Sequence, residues 1–246
     1  MLPDLSERFD GLERMDRSDC DEAHLYRTLA QFRYVNLVVS RYRYCLKRWI
    51  VADMLRDRSS RYHLVDLGAG GCDIPAWLLR HCQRRSLKLR VTAVDSNART
   101  VAWARERYGD IPDLNIVCGS AFEIGDLGDV DYVYANHFLH HLPRIEIVRL
   151  LHVIQAVVRR KFLVCDLVRS RFSYVGFSLL AGPLLRDSFA FEDGQISIRR
   201  GFTLGEFQHL IDDSDIRGRC QIFQMFPGRL AMVGGSVLGD LPADPN

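Results

Sequence analysis

Val65-Asp66-Leu67-Gly68-Ala69-Gly70-Gly71-Cys72-Asp73-Ile74-Pro75 (VDLGAGGCDIP) is the stretch that decides the fold of this 246-residue chain. An apolar strand ends at Leu67, four small residues turn the backbone, and a helix is expected from about Asp73. Glycine accepts positive φ and lets main chain approach a ligand where a Cβ would clash. In open parallel sheets, ligands bind beyond the carboxyl ends of the strands, at turns of this kind. On its own the turn fits a ligand-free connection as well.

Outward from that turn, short apolar strands alternate with amphipathic helices. Strands are expected at 62–67, 89–94, 115–118, 130–135 and 162–165, and helices at 73–82, 97–108 and 143–158. This alternation predicts an α/β fold, a mostly parallel sheet with helices on both faces. After Asp166 the pattern breaks, and residues 167–200 mix apolar and aromatic residues with arginines, without a clean strand. A helix at 203–211 follows, where Thr203 and Glu206 have capping-box spacing. Two strands at 220–226 and 230–233, joined by Pro227-Gly228, predict an antiparallel end to the sheet. Residues 1–61 are expected to be helical throughout, with a long run from Asp21 to Leu55 and a stripe of Leu25, Leu29, Phe32, Asn36 and Val39. The expected organisation is a helical lid or cap (1–61), a Rossmann-like domain (62–240) with a lid insertion (167–200), and a loose tail (240–246).

Composition bounds the function. With 48% hydrophobic and 26% charged residues the chain can bury a real core, which excludes a disordered or fibrous class. Lys+Arg number 33 against Asp+Glu 31, so no global positive field draws in nucleic acid. The longest apolar run, YVGFSLLAGPLL (174–185), is too short for a transmembrane segment and contains Gly176, Gly182 and Pro183. Nothing in MLPDLSERFD marks export, and the seven cysteines form no C-x-x-C pair; a cytoplasmic, thiol-bearing protein is expected.

The chemistry begins at Asp73. A dinucleotide loop would carry its third glycine there, with pyrophosphate on the helix N-terminus. A carboxylate at that place repels a diphosphate and welcomes a cationic amine, such as the amino-acid end of S-adenosylmethionine. Asp66 adds a second acid at the same end. In AVDSN (93–97), Asp95 can accept hydrogen bonds from both ribose hydroxyls. Asp95 alone fits NAD equally; with Asp73 it selects S-adenosylmethionine.

Over residues 60–235 the chain resembles the class I S-adenosylmethionine-dependent methyltransferases. VDLGAGGCDIP looks like the first motif of that family and AVDSN like its second. GSAF (119–122) sits at the adenine segment, with Ser120 in place of the usual acid. DYVYANHFLHHL (131–142) looks like the fourth-strand segment that passes the reactive methyl. The resemblance implies a Rossmann-like seven-stranded sheet with an antiparallel last strand. It also implies S-adenosyl-L-methionine held by Asp66, Gly68, Ala69, Gly70, Asp73, Asp95, Ser96, Ser120, Ala121, Phe122, Asn136 and His137.

Three histidines crowd the fourth-strand tip. His137 lies beside Asn136 and is the first candidate for a general base, since imidazole titrates near neutrality. His140 and His141 fall one turn later, and either cap the strand and start the next helix or share the catalytic role. Their acid-poor surroundings give no complete ligand set, so no metal is expected. Asn36 is a candidate substrate contact, as are Arg199 and Arg200 toward an anionic or phenolate acceptor. Phe172, Tyr174, Phe177, Phe189 and Phe191 would form an apolar wall. The expected acceptor is therefore a small aromatic, quinone-like or polyketide-like molecule, methylated at oxygen or carbon. RYRYCLKRW (41–49) keeps a second reading open, an RNA methyltransferase with cations on phosphate and aromatics on bases, although nucleic acid is disfavoured. A third is a non-catalytic cofactor-binding partner subunit.

Overall fold

The computed structural model describes residues 2–182, 184–216 and 219–235; the expected tail lies outside them. Seven strands form one sheet: β1 (Arg61–Leu67), β2 (Lys88–Asp95), β3 (Leu114–Cys118), β4 (Val130–Asn136), β5 (Val158–Leu167), β6 (Cys220–Met225) and β7 (Arg229–Gly235), in the order β3-β2-β1-β4-β5-β7-β6. β7 pairs antiparallel with both β5 and β6, and the pairs among β1 to β5 are parallel. β1 and β4 are buried on both faces, which is why their sequences read as continuous apolar runs.

Helices cover both faces. One core holds Leu25, Leu46, Trp49, Leu78 and Trp103 from α1 (Glu22–Val39), the segment that starts with α2 (Tyr42–Cys45), α4 (Asp73–Gln83) and α5 (Ala98–Tyr108). The other holds Ile147 and Leu151 of α6 (Arg144–Val157) with Phe207 and Leu210 of α9 (Leu204–Asp213). The capping box of α9 forms as its spacing predicts. Residues 167–200 carry two helices, α7 (Arg171–Ala181) and α8 (Ala190–Arg200). Among the described residues, no helix is long and apolar enough to cross a membrane.

The leading segment departs from expectation. The run 21–55 breaks at Arg41, whose φ is 53°, and continues from α2 through a π-helical stretch (Leu46–Val51) into α3 (Ala52–Met54). Before α1 the chain is an extended strap with a single 3-10 turn, Arg14–Asp16. Long-range hydrogen bonds hold it: Arg169 donates to the carbonyls of Leu5 and Ser6, Phe9 N–H to Arg199 O, and Arg200 to Gly11 O. Tertiary partners use these backbone groups, so the local ladder of a helix does not form.

Candidate active site

The sheet's carboxyl edge opens into a cavity of 630 Å³, roofed by the strap, α1 and α8. The glycine turn is its floor. Gly68 (φ 62°) lies so close to the Phe138 ring that an added Cβ would stand 2.4 Å from it. At Gly70 (φ 51°) a Cβ would meet nothing within 4 Å, so the missing side chain leaves room for a ligand. Gly70 N–H donates to Asp95 Oδ2 and Asn97 N–H to Oδ1, both at 2.9 Å. These bonds fix the carboxylate and leave each oxygen a further lone pair for ribose hydroxyls.

Three carboxylates face this cradle: Asp66 at the end of β1, Asp73 opening α4, and Asp95 ending β2. Burial, with the like charges of Asp73 and Asp95, pushes Asp66 well above the usual carboxylate value. Burial raises Asp73 as well, against the hydrogen bond from Asn36 Nδ2 at 3.5 Å, and raises Asp95 against its two backbone donors. Such a cluster is costly until a cation or a set of donors enters. Nearby, buried Asn136 Oδ1 has no hydrogen-bond partner. Clustered acid, open space over Gly70 and an orphaned acceptor fit the amine and ribose of S-adenosylmethionine.

The adenine segment is only partly as expected. Ser96 and Ala121 line the cavity. Ser120 Oγ instead accepts from Phe122 N–H at 3.2 Å, capping a 3-10 helix (Ala121–Leu127), and the Phe122 ring packs beneath Arg149 in the second core. Neither belongs to the cavity wall, whereas Gly119 and Ala121 beside them do.

His137 (φ 56°) donates its N–H to Cys165 O, and its Nε2 meets the guanidinium of buried Arg229. Burial and the Arg229 charge push His137 well below the ordinary imidazole value, and burial lowers Arg229 to about 10. The lone pair that a free base would use already faces a donor, so the lone-base expectation becomes a His137–Arg229 pair. His140 and His141 neither cap nor start α6; they form a 3-10 turn (Leu139–His141) ahead of it. His140 is 1% exposed, with Nδ1 2.7 Å from Asp166 Oδ1 and Nε2 3.4 Å from Glu13 Oε1. Burial alone would lower it, but those two carboxylates hold it up at about 9. His141 Nδ1 lies 2.8 Å from Asp16 Oδ2, and its Nε2 is 3.8 Å from Glu13 Oε1.

Arg199 and Arg200 lie off the cavity wall. Arg200 donates to the carbonyls of His140 (2.9 Å), His141 (2.9 Å) and Gly11 (2.6 Å), clamping the histidine turn to the strap. Arg199 lies over the Phe9 ring at 3.7 Å. Of the five expected wall aromatics only Phe177 lines the cavity. Phe191 stacks on Phe177, Phe189 stacks on His24, and Phe172 is 63% exposed beside Phe226. Asn36 is on the wall, beside Asp73. In the 41–49 segment Tyr42 and Trp49 are buried in the core, so they do not form a platform for bases.

Glu13, Asp16, Asp166 and Arg229 escaped the sequence reading. Asp166 alone carried a signal, its place near the carboxyl end of β5, the ligand edge of the sheet.

Comparison with known proteins agrees with this geometry. Residues 64–161 match the family model described as a methyltransferase domain. No curated protein matches the chain. Among solved structures, human N-acetylserotonin methyltransferase in complex with SAM shares the fold at TM-score 0.58 and 17% identity, over 87% of this chain and 56% of that one. The plantazolicin methyltransferase BpumL, solved with a pentazolic desmethylPZN analog and SAH, gives 0.60 and 12%, over 87% and 96%. The CMeT domain of the citrinin polyketide synthase gives 0.52 and 12%, over 72% and 47%. The chain thus spans about half the length of the first structures it matches (47%, 59% and 56%), and at these identities the likeness is one of fold. Gly68 to Gly70, Asp73 and Asp95 all fall inside the matched stretch, at the carboxyl edge of a sheet in the order β3-β2-β1-β4-β5-β7-β6; residues 64–161 resemble a methyltransferase domain, and the chain has the class I fold seen in these S-adenosylmethionine-dependent methyltransferases.

Proposed function

We propose that the chain transfers a methyl group from S-adenosylmethionine to an oxygen or carbon of a small aromatic, quinone-like or polyketide-like molecule. The observation that carries this reading is one continuous cavity. It joins the carboxylate cradle to a space walled by Leu29, Phe32, Val39, Phe177 and Ile198 that also holds Arg229 and His137. The bound cofactor supplies an electrophilic methyl on a sulfonium centre. Asp66 and Asp73 bind its amine, and Asp95 fixes the ribose. Arg229 meets the acceptor's oxygen and stabilises negative charge there, while neutral His137 takes the hydroxyl proton once that oxygen displaces the guanidinium from its ring nitrogen. Most of the acceleration comes from holding the two reactants in line. Two of the fold relatives are named for small-molecule acceptors and a third belongs to a polyketide synthase, which supports an acceptor of that kind. All seven cysteines are free, in keeping with a reducing, cytoplasmic setting.

The test pairs binding with turnover. S-adenosylhomocysteine should raise the melting temperature and NAD should not. On a panel of phenols and quinols, His137→Ala and Arg229→Met should each lower kcat by about 10²-fold with little change in S-adenosylhomocysteine affinity. Undiminished kcat in both variants would remove these side chains from the chemistry. Salt-sensitive methylation of RNA, with none of the panel, would overturn the acceptor class.

A further inference from the structure

We propose that Glu13, His140 and His141 bind one divalent cation of the zinc type through two imidazole nitrogens and one carboxylate oxygen, with a coordination position left open to the cavity. The three ligand atoms lie within 4.8 Å of one another, the only such group of His, Cys, Asp and Glu among the described residues. Glu13 Oε1 is 3.4 Å from His140 Nε2 and 3.8 Å from His141 Nε2. Ligands about 2.0 to 2.1 Å from a tetrahedral metal stand roughly 3.3 Å apart, close to the two distances from Glu13 Oε1.

Two further observations point to a ligand here. His140 Nε2 is buried on a ring that is 1% exposed, and it faces Glu13 Oε1 at 3.4 Å without the geometry of a hydrogen bond. In addition, each ring is oriented from behind by a carboxylate, Asp166 on His140 Nδ1 (2.7 Å) and Asp16 on His141 Nδ1 (2.8 Å). Metal-binding histidines are held in this way, because the outer carboxylate fixes the tautomer that presents Nε2 and raises its basicity. Ser197 Oγ donates to Glu13 Oε1 at 2.6 Å and positions the third ligand.

The donor set selects the metal. Two imidazoles and one carboxylate suit zinc and its first-row neighbours, whereas magnesium and calcium call for oxygen shells. Glu13, Asp16 and Asp166 offset the ion's charge. His141 is a quarter exposed, which gives the ion an entry path, and all three ligands line the cavity. A bound ion would fasten the strap to the histidine turn and offer its open position to water or to an oxygen of a molecule in the cavity.

The full chain, stripped with a chelator, would be titrated with Zn²⁺ by calorimetry and with Co²⁺ by absorption. The expected result is one Zn²⁺ per chain, and visible cobalt bands without the near-ultraviolet sulfur-to-cobalt band that the free cysteines would give. Glu13→Gln and His141→Ala should each weaken Zn²⁺ at least tenfold, and Asp16→Asn by about tenfold. These variants spare the fully buried His140 ring, and far-ultraviolet circular dichroism verifies their fold. Zn²⁺ uptake no greater in the native chain than in folded His141→Ala, or a cobalt spectrum dominated by sulfur, would overturn the site and leave a hydrogen-bonded imidazolium between two carboxylates. Titration with S-adenosylhomocysteine alone reports the cofactor cradle independently.

Discussion

Asp53 and Asp66 are each 3% exposed, and they sit at opposite ends of the same sheet. Asp53, on α3 below the amino ends of β4 and β5, accepts from Tyr132 Oη (2.7 Å), Arg160 Nε (2.8 Å) and Lys161 Nζ (2.9 Å). Burial would raise it, but these donors hold it below the usual carboxylate value. Asp66, at the carboxyl end of β1, shares its surroundings with Asp73 and Asp95 and is pushed the other way. Solvent exposure is thus equal and the outcome opposite, with Asp66 the more deeply enclosed of the two. One carboxylate has its cations supplied by the chain, and the other faces two more carboxylates; in the proposed function a ligand satisfies it. Strain concentrated at the ligand edge of an otherwise well-paired sheet is what a binding site costs the unliganded fold.

The largest effect should come from the satisfied end. Asp53→Ala leaves buried Lys161 and partly buried Arg160 without that carboxylate. It should cost about 3 kcal/mol, a fall in Tm of about 6 °C or more, with cofactor binding intact. Because the folded pKa of Asp53 is lowered, its contribution is present above the ordinary value of 3.8 and is lost as pH falls through the lowered one. Chemical denaturation across that range should therefore show a shallower acid limb in Asp53→Asn, and an unchanged limb would break the comparison.

At the ligand end, Asp95→Ala should weaken S-adenosylhomocysteine at least tenfold, the equivalent of about 1.5 to 3 kcal/mol for a charged hydrogen bond, by calorimetry. In the native chain a cationic amine favours ionised Asp66 and Asp73, so affinity should climb as pH rises through their raised values. A flat profile would show that the cradle does not hold the amine.

The smallest effect is the sharpest. Asp66 has a raised folded pKa, so the stability linked to its protonation is present below 3.8 and lost as pH rises through the raised value. Asp66→Asn removes that loss. Without ligand, Tm should rise by about 2 to 4 °C near neutral pH while S-adenosylhomocysteine binds more weakly. A lowered Tm would make Asp66 a structural residue like Asp53.

Much of the geometry of the proposed cofactor cradle was legible because its determinants are local. Gly68 and Gly70 adopt the positive φ that a strand-to-helix turn requires, and Asp73 and Asp95 occupy the first residue of α4 and the last of β2. Alternating apolar strands and amphipathic helices likewise announce a parallel sheet, and Pro227-Gly228 announces the reversal into β7. The side-chain directions of Ser120 and Phe122 were not legible, because position beside a motif does not say where a side chain points; one caps a turn and the other packs against a core.

What only the tertiary structure decided lies in pairs far apart along the chain. Local propensity could not show that Arg169 and Arg200 would claim the strap's carbonyls, or that Arg229 would be buried against His137. The three histidines were visible as a cluster, but the carboxylates beside His140 and His141 come from the leading strap (Glu13, Asp16) and from β5 (Asp166), far apart along the chain. The sequence by itself therefore determined the sheet, the glycine turn and the placing of acids at its carboxyl edge, since each follows from periodicity and backbone sterics within a few residues. The partners of His137, His140 and His141 were decided only by packing, because a buried charge takes its partner from whichever segment the fold brings within hydrogen-bond distance.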